Sequence, residues 1–135
     1  MIFVDSAFLL ALVNPRDSLY SRAQAWVRAV QEPLLVTEYV LWEVVNSLSS
    51  PADRPKAHAV VSRIWSGSDW EVVPASPDLF EAGMRLHRER ADKAWSLTDC
   101  ISFHIMESRQ LTRALTYDSH FEQAGFQALL RSEPS

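Results

Sequence analysis

Short runs of β-branched and aromatic residues recur along this chain, and segments with helical spacing separate them. Residues 2–4, 34–36 and 70–73 read as buried strands, and 114–116 and 126–129 as candidate short strands. Ser6 is positioned to cap a helix over 7–13, which Asn14-Pro15 stops. Leu19, Ala23, Trp26, Val27 and Val30 follow at amphipathic spacing. Thr37 caps a third helix, which turns Leu41, Val44, Val45 and Leu48 inward. Ser50-Pro51 opens a helix to about Ser66 that buries Val60, Val61, Ile64 and Trp65, with Pro55 in its first turn or marking a delayed start. Ser76-Pro77 opens another to about Arg90, and 98–109 reads as the last. Strands alternating with helices specify an α/β fold, a parallel sheet covered on both faces. The pattern does not give the strand order.

At 135 residues the chain is expected to form one domain, 1–135. It is 47% hydrophobic with only 3 glycines, enough apolar material for a core. A formal net charge of -4 counts against binding nucleic acid through a basic field over the whole surface. Local grip by a few arginines and a metal is still compatible with it. The single cysteine, Cys100, cannot form an internal disulfide and suits a reducing cytoplasm. No signal-peptide pattern or membrane-length apolar run is visible, so a cytoplasmic chain with no membrane partner is expected.

Four acids stand where such a fold would expose them. Asp5 ends the first strand, Glu43 lies in the third helix, Asp99 opens the segment 98–109, and Asp118 follows the fourth strand. Parallel strands direct their carboxyl ends to one edge, where ligands bind. Carboxylates gathered there repel unless cations or protons neutralise them. Hard oxygen donors favour Mg²⁺ or Mn²⁺, and such an ion can activate water against a phosphodiester. Each acid also has an ordinary reading. Asp5 is a plausible cap, Ser96 and Asp99 resemble a capping box, and Asp118 suits a turn. Glu43 resists this most, because Tyr39-Val40-Leu41-Trp42 precede it and Val44-Val45 follow.

The segments Ile2-Phe3-Val4-Asp5-Ser6, Thr37 to Asn46, Ser96-Leu97-Thr98-Asp99-Cys100-Ile101-Ser102-Phe103, and Ala114 to Phe126 resemble the PIN domain family, and more narrowly its VapC-type toxin ribonucleases. The first motif alone is weak, and the last two together are specific. The resemblance spans nearly the whole chain. It implies an α/β/α sandwich with a parallel sheet of about five strands. It implies that Asp5, Glu43, Asp99 and Asp118 form the acidic catalytic and metal site, with Asp5 and Asp99 closest to Mg²⁺ or Mn²⁺. It further implies an RNA substrate, a small antitoxin protein as partner, and a homodimer. His120 fits the pattern without an assigned role. Ser6, Thr98 and Thr116 are hydroxyl neighbours able to orient a ligand.

Other features have weaker claims. Arg85, His87, Arg88, Arg90 and Lys93 form a basic segment, either an RNA phosphate contact or a solvated helix face. Trp95 reads as a base-stacking or a core residue. Cys100 and His104 lie one helical turn apart but lack the partners of a zinc site. Competing functions are a noncatalytic binding module on the same fold, a small-phosphoester hydrolase, and a phospho-accepting receiver domain. The last should pair two acids after the first strand and carry a late lysine. Here Ser6 follows Asp5, and 114–120 contains no lysine.

Overall fold

A computed structural model describes residues 1–135. The chain runs β1 (Ile2–Val4), α1 (Ser6–Leu12), α2 (Tyr20–Ala29), β2 (Leu34–Thr37), α3 (Glu38–Ser47), α4 (Arg54–Ser66), β3 (Trp70–Val73), α5 (Pro77–Glu89), α6 (Leu97–Ser108), β4 (Arg113–Leu115), α7 (Ser119–Gln123) and β5 (Gln127–Ala128). The five strands form one sheet in the order β3-β2-β1-β4-β5, with every neighbouring pair parallel. Right-handed crossovers then put α1 to α4 on one face and α5 to α7 on the other. The helix contacts agree: α1 packs on α2 and α3, and α3 on α4, whereas α6 packs on α5 and α7. The result is an α/β/α sandwich. No helix is long and apolar enough to cross a membrane.

The centre of the sheet is fully apolar. Ile2, Phe3, Val4, Leu35, Val36, Ala114 and Leu115 are all buried, as expected for strands covered on both faces. Phe8 and Val40 close one side of this core, and Phe103, Met106 and Phe121 the other. Phe103 meets Phe121 edge-to-face at 4.9 Å and Trp95 at 5.0 Å.

Several local expectations need correction. Asp5, not Ser6, occupies the cap position of α1, and its side chain makes no capping bond. The Ser50-Pro51 segment forms a turn, and α4 begins only at Arg54 with proline in its first turn. Trp65 is 58% exposed, because burying Ile64 turns the next side chain about 100° away. The last strand shrinks to Gln127–Ala128 and passes into a 3-10 turn, Leu129–Arg131. The short α7 lies within the chain's last acidic motif. The caps at Thr37, Ser76 and Ser96 form as expected, with each hydroxyl accepting an amide three residues on.

Candidate active site

The strand order reverses between β1 and β4, because β1 leads to β2 on one side while β4 leads to β5 on the other. A crevice opens at the carboxyl ends of two such strands. Asp5 follows β1, and Thr116 and Asp118 follow β4. The β1–β4 pairing, Phe3 beside Ala114 and Val4 beside Leu115, brings these two exits level. The Thr116 hydroxyl then joins them. It donates to Asp5 Oδ2 at 2.8 Å and accepts the Asp118 amide at 3.1 Å.

Glu43 and Asp99 arrive from opposite helical layers. Thr37 caps α3 directly off β2, and that start is anchored to the loop before α5. Glu38 Oε1 accepts the Ala75 amide at 2.6 Å, and the Tyr39 hydroxyl bonds both the Ser76 amide and its carbonyl. The helix so fixed brings Glu43 within electrostatic reach of Asp5, Asp99 and Asp118. Asp99 lies in the first turn of α6 and closes a capping box. Its amide donates to Ser96 Oγ, and its Oδ2 accepts the Ser96 amide at 3.1 Å. Asp118 caps α7 by accepting the His120 amide on Oδ1 at 2.8 Å. All four acids therefore converge at the switch point.

Burial and repulsion from neighbouring carboxylates shift Asp5 and Glu43. Asp5 is raised from 3.8 to about 7, first by burial and then by the charges of Asp99 and Glu43. The Thr116 hydroxyl and the Ser6 amide only partly offset this. Glu43 is also raised, chiefly by burial, then by Asp99 and Asp118, against the Ser6 and Thr98 hydroxyls. No lysine or arginine acts on either group. The only basic side chain touching the cluster is His120, whose Nδ1 lies 3.1 Å from Asp99 Oδ2 and 3.5 Å from Asp118 Oδ1. Asp99, Asp118 and His120 offer ligand atoms within 4.8 Å of one another. A set of converging, underneutralised carboxylates fits a hard divalent cation. The bonds to Asp99 fall on Oδ2 and that to Asp118 on Oδ1, so the opposite oxygen of each is available.

The remaining candidates separate cleanly. Trp95 is buried, and its indole donates to Gln123 Oε1 at 3.0 Å, so it is a core residue and no stacking platform. Cys100 is buried while His104 on the same helix is exposed, which rules out a shared metal. In the basic segment, Arg90 pairs with Asp92 and lies over the Trp95 ring, whereas Arg85, His87 and Arg88 are exposed on α5. His120 gave only a weak signal in sequence: it shares a short cap-and-helix segment with Asp118, two residues on.

Comparison with known proteins fits this geometry. The PIN domain family model matches residues 2–127. The 23S rRNA-specific endonuclease VapC20 of Mycobacterium tuberculosis is 25% identical over 126 residues, 93% of this chain and 95% of that protein. The crystal structure of VapC20, described as a sarcin-ricin loop cleaving toxin, matches with a TM-score of 0.85 over 93% of this chain and 96% of the other. A toxin–antitoxin complex from Klebsiella pneumoniae (TM-score 0.64, 16% identity, 88% of each chain) shares the fold. So does FitAcB from Neisseria gonorrhoeae (TM-score 0.66, 17% identity, 95% of each chain). On the family match, the five-stranded parallel sheet and the acids at its switch point, this chain belongs to the PIN domain family.

Proposed function

We propose that this chain is a divalent-metal-dependent endoribonuclease and the toxin of a toxin–antitoxin pair, working in the cytoplasm. The observation that carries the reading is the convergence of Asp5, Glu43, Asp99 and Asp118 at the sheet's switch point with no lysine or arginine among them. RNA is favoured as substrate because the relative that aligns over 95% of its length is named a 23S rRNA-specific endonuclease.

In this reading the four carboxylates hold Mg²⁺ or Mn²⁺. When bound, the ion supplies Lewis acidity to a water and to the phosphoryl oxygens. The protein's own part is to hold the acids still. Thr116 locks Asp5 to the β4 exit, the Ser96 box locks Asp99, and the α7 amide locks Asp118. Such pre-organisation means that little rearrangement accompanies substrate arrival. An antitoxin would find a second feature, an apolar groove of about 730 Å³ between α1, α2 and α4, lined by Leu12, Trp26, Val27, Val60 and Ile64. The groove suits the apolar side of a partner helix.

The test is cleavage of RNA, single-stranded DNA and a small phosphate ester by the purified chain, with and without chelator. RNA cleavage that stops on chelation and returns with Mg²⁺ or Mn²⁺ is expected. Persistence of cleavage after exhaustive chelation would falsify the mechanism, and turnover of the small ester alone would replace the substrate class.

A further inference from the structure

The imidazole of His120 has no counterpart in an all-carboxylate site. Its Nδ1 is turned inward, 3.1 Å from Asp99 Oδ2 and 3.5 Å from Asp118 Oδ1, while its own amide is spent on Asp118. Three atoms of different residues thus lie within 4.8 Å of one another. That is close to the separation across one ion with bonds of about 2.1 Å. His120 sits on α7, whose position is fixed from both ends. Asp118 caps its start, and at its end Gly125, with φ +94°, lets the Phe126 and Gly125 amides reach back to the carbonyls of Phe121 and Glu122. Phe121, fully buried against Phe3 and Phe103, pins the same turn to the core. The ring is therefore held at the carboxylates and does not sample them from a mobile loop.

We propose that His120 Nδ1 is a direct ligand of the site's metal, alongside Asp99 and Asp118, and that it biases the site toward Mn²⁺ or a later first-row ion over Mg²⁺. This inference rests on the proposed metal-dependent function. Its chemical basis is ligand softness. Carboxylate and water oxygens suit Mg²⁺, which takes nitrogen poorly, whereas imidazole is a good ligand for first-row transition ions. Coordination needs the neutral ring with its proton on Nε2 and the Nδ1 lone pair turned to the ion. The ring is part-exposed, with 28% side-chain accessibility, so Nε2 can be satisfied by solvent and the side chain can be replaced without opening the core. The other three histidines, His58, His87 and His104, are exposed on α4, α5 and α6. A nitrogen signal from a metal held at the acids is therefore assignable.

The experiment loads the full-length chain with Mn²⁺ and looks for directly bonded nitrogen by electron spin-echo envelope modulation. Isothermal titration of Mn²⁺ and Mg²⁺ accompanies it. The wild type should show ¹⁴N coupling that selective ¹⁵N-histidine labelling alters and His120→Ala removes. His120→Ala should weaken Mn²⁺ binding about tenfold and Mg²⁺ binding much less. His120→Asp should retain binding while shifting the preference toward Mg²⁺. Mn²⁺ bound in an Asp99-dependent way without nitrogen coupling, or equal losses for both ions in His120→Ala, would overturn the inference and make His120 a positioning residue for Asp99. The nuclease reading would survive that result. Absence of Mn²⁺ binding sensitive to Asp99→Asn would overturn both.

Discussion

Asp5 carries the sharpest consequence at the scale of single residues. Its carboxyl titrates near 7 in the fold against 3.8 in the unfolded chain, so between those values the folded state binds the extra proton. Stability associated with that proton is fully present below about pH 4 and lost as pH rises through about 7. The metal-free protein should therefore melt at progressively lower temperature from pH 5 to pH 8. Asp5→Asn should flatten that slope and stabilise the metal-free chain at pH 8 by roughly 2 to 4 kcal/mol, while abolishing cleavage. A thermal melt series with and without Mn²⁺ checks this, since the ion should stabilise the wild type more at pH 8 than at pH 6. A pH-independent wild type would show that Asp5 is not strained by its setting. Thr116 makes a separate case. Thr116→Val keeps the shape but removes the hydroxyl that joins Asp5 to the Asp118 amide. Cleavage should fall about 10- to 100-fold, with a stability loss of about 1 to 3 kcal/mol; unchanged turnover would make that hydroxyl a mere cap of the β4 exit.

At the scale of elements, α6 presents Asp99 to the site, and its seat is unusually close. A Cβ at Gly83 of α5 would come within 2.4 Å of Ile101 Cγ1, next to the branch point of a buried β-branched side chain with little room to swing aside. Gly83→Ala gains about 1 kcal/mol in helix propensity, but overpacking should cost more, for a net loss of about 1 to 2 kcal/mol. Cleavage should drop as well, because α6 must shift to make room. An unchanged melting temperature would show that α5 and α6 separate freely. The same scale explains what the sequence made legible. Thr37, Ser76 and Ser96 announce their helices because each signal is local, a hydroxyl followed three residues on by the amide it accepts. At Asp5-Ser6 two capping residues adjoin; Asp5 takes the position, and its carboxylate accepts the Thr116 hydroxyl instead of making a capping bond, a long-range pairing that the local pattern does not reveal. The five-residue α7 is too short for a periodic pattern, and Asp118 before it reads locally as no more than a turn residue. The positions of the four acids were legible: Asp5 and Asp118 after strands, Glu43 within a helix and Asp99 in the first turn of another. Their meeting at one switch point follows from strand order, a set of long-range pairings that no local pattern encodes.

The whole molecule presents two apolar surfaces. The groove over α1, α2 and α4 is deep and suits a partner segment. The other surface is open: Trp42 on α3 is 57% exposed, and Phe80 and Met84 on α5 are 51% and 40% exposed, all bordering one hollow with Tyr39 and Pro77. Phe80 and Met84 are one helical turn apart, so they share a face. Exposed apolar side chains grouped in this way favour contact with another protein surface. We propose a second copy of the chain as its occupant, because a two-fold contact matches a patch with itself and needs no complementary surface elsewhere. The geometry ties this contact to the chemistry. The helix that turns Trp42 outward carries Glu43 into the site one residue later, so pairing across α3 and α5 would brace the α3 layer of both sites at once. Trp42→Glu places a charge in the contact yet disturbs little of the fold, since the side chain is more than half exposed. Light scattering at micromolar concentration should give twice the 15.3 kDa chain mass for the wild type and the single mass for the variant. Melting of the variant should become independent of protein concentration, and cleavage per chain should fall as Glu43 loses its bracing. A wild type of single-chain mass under these conditions would rule out the pairing, and a variant that remains a dimer would move the contact away from this patch.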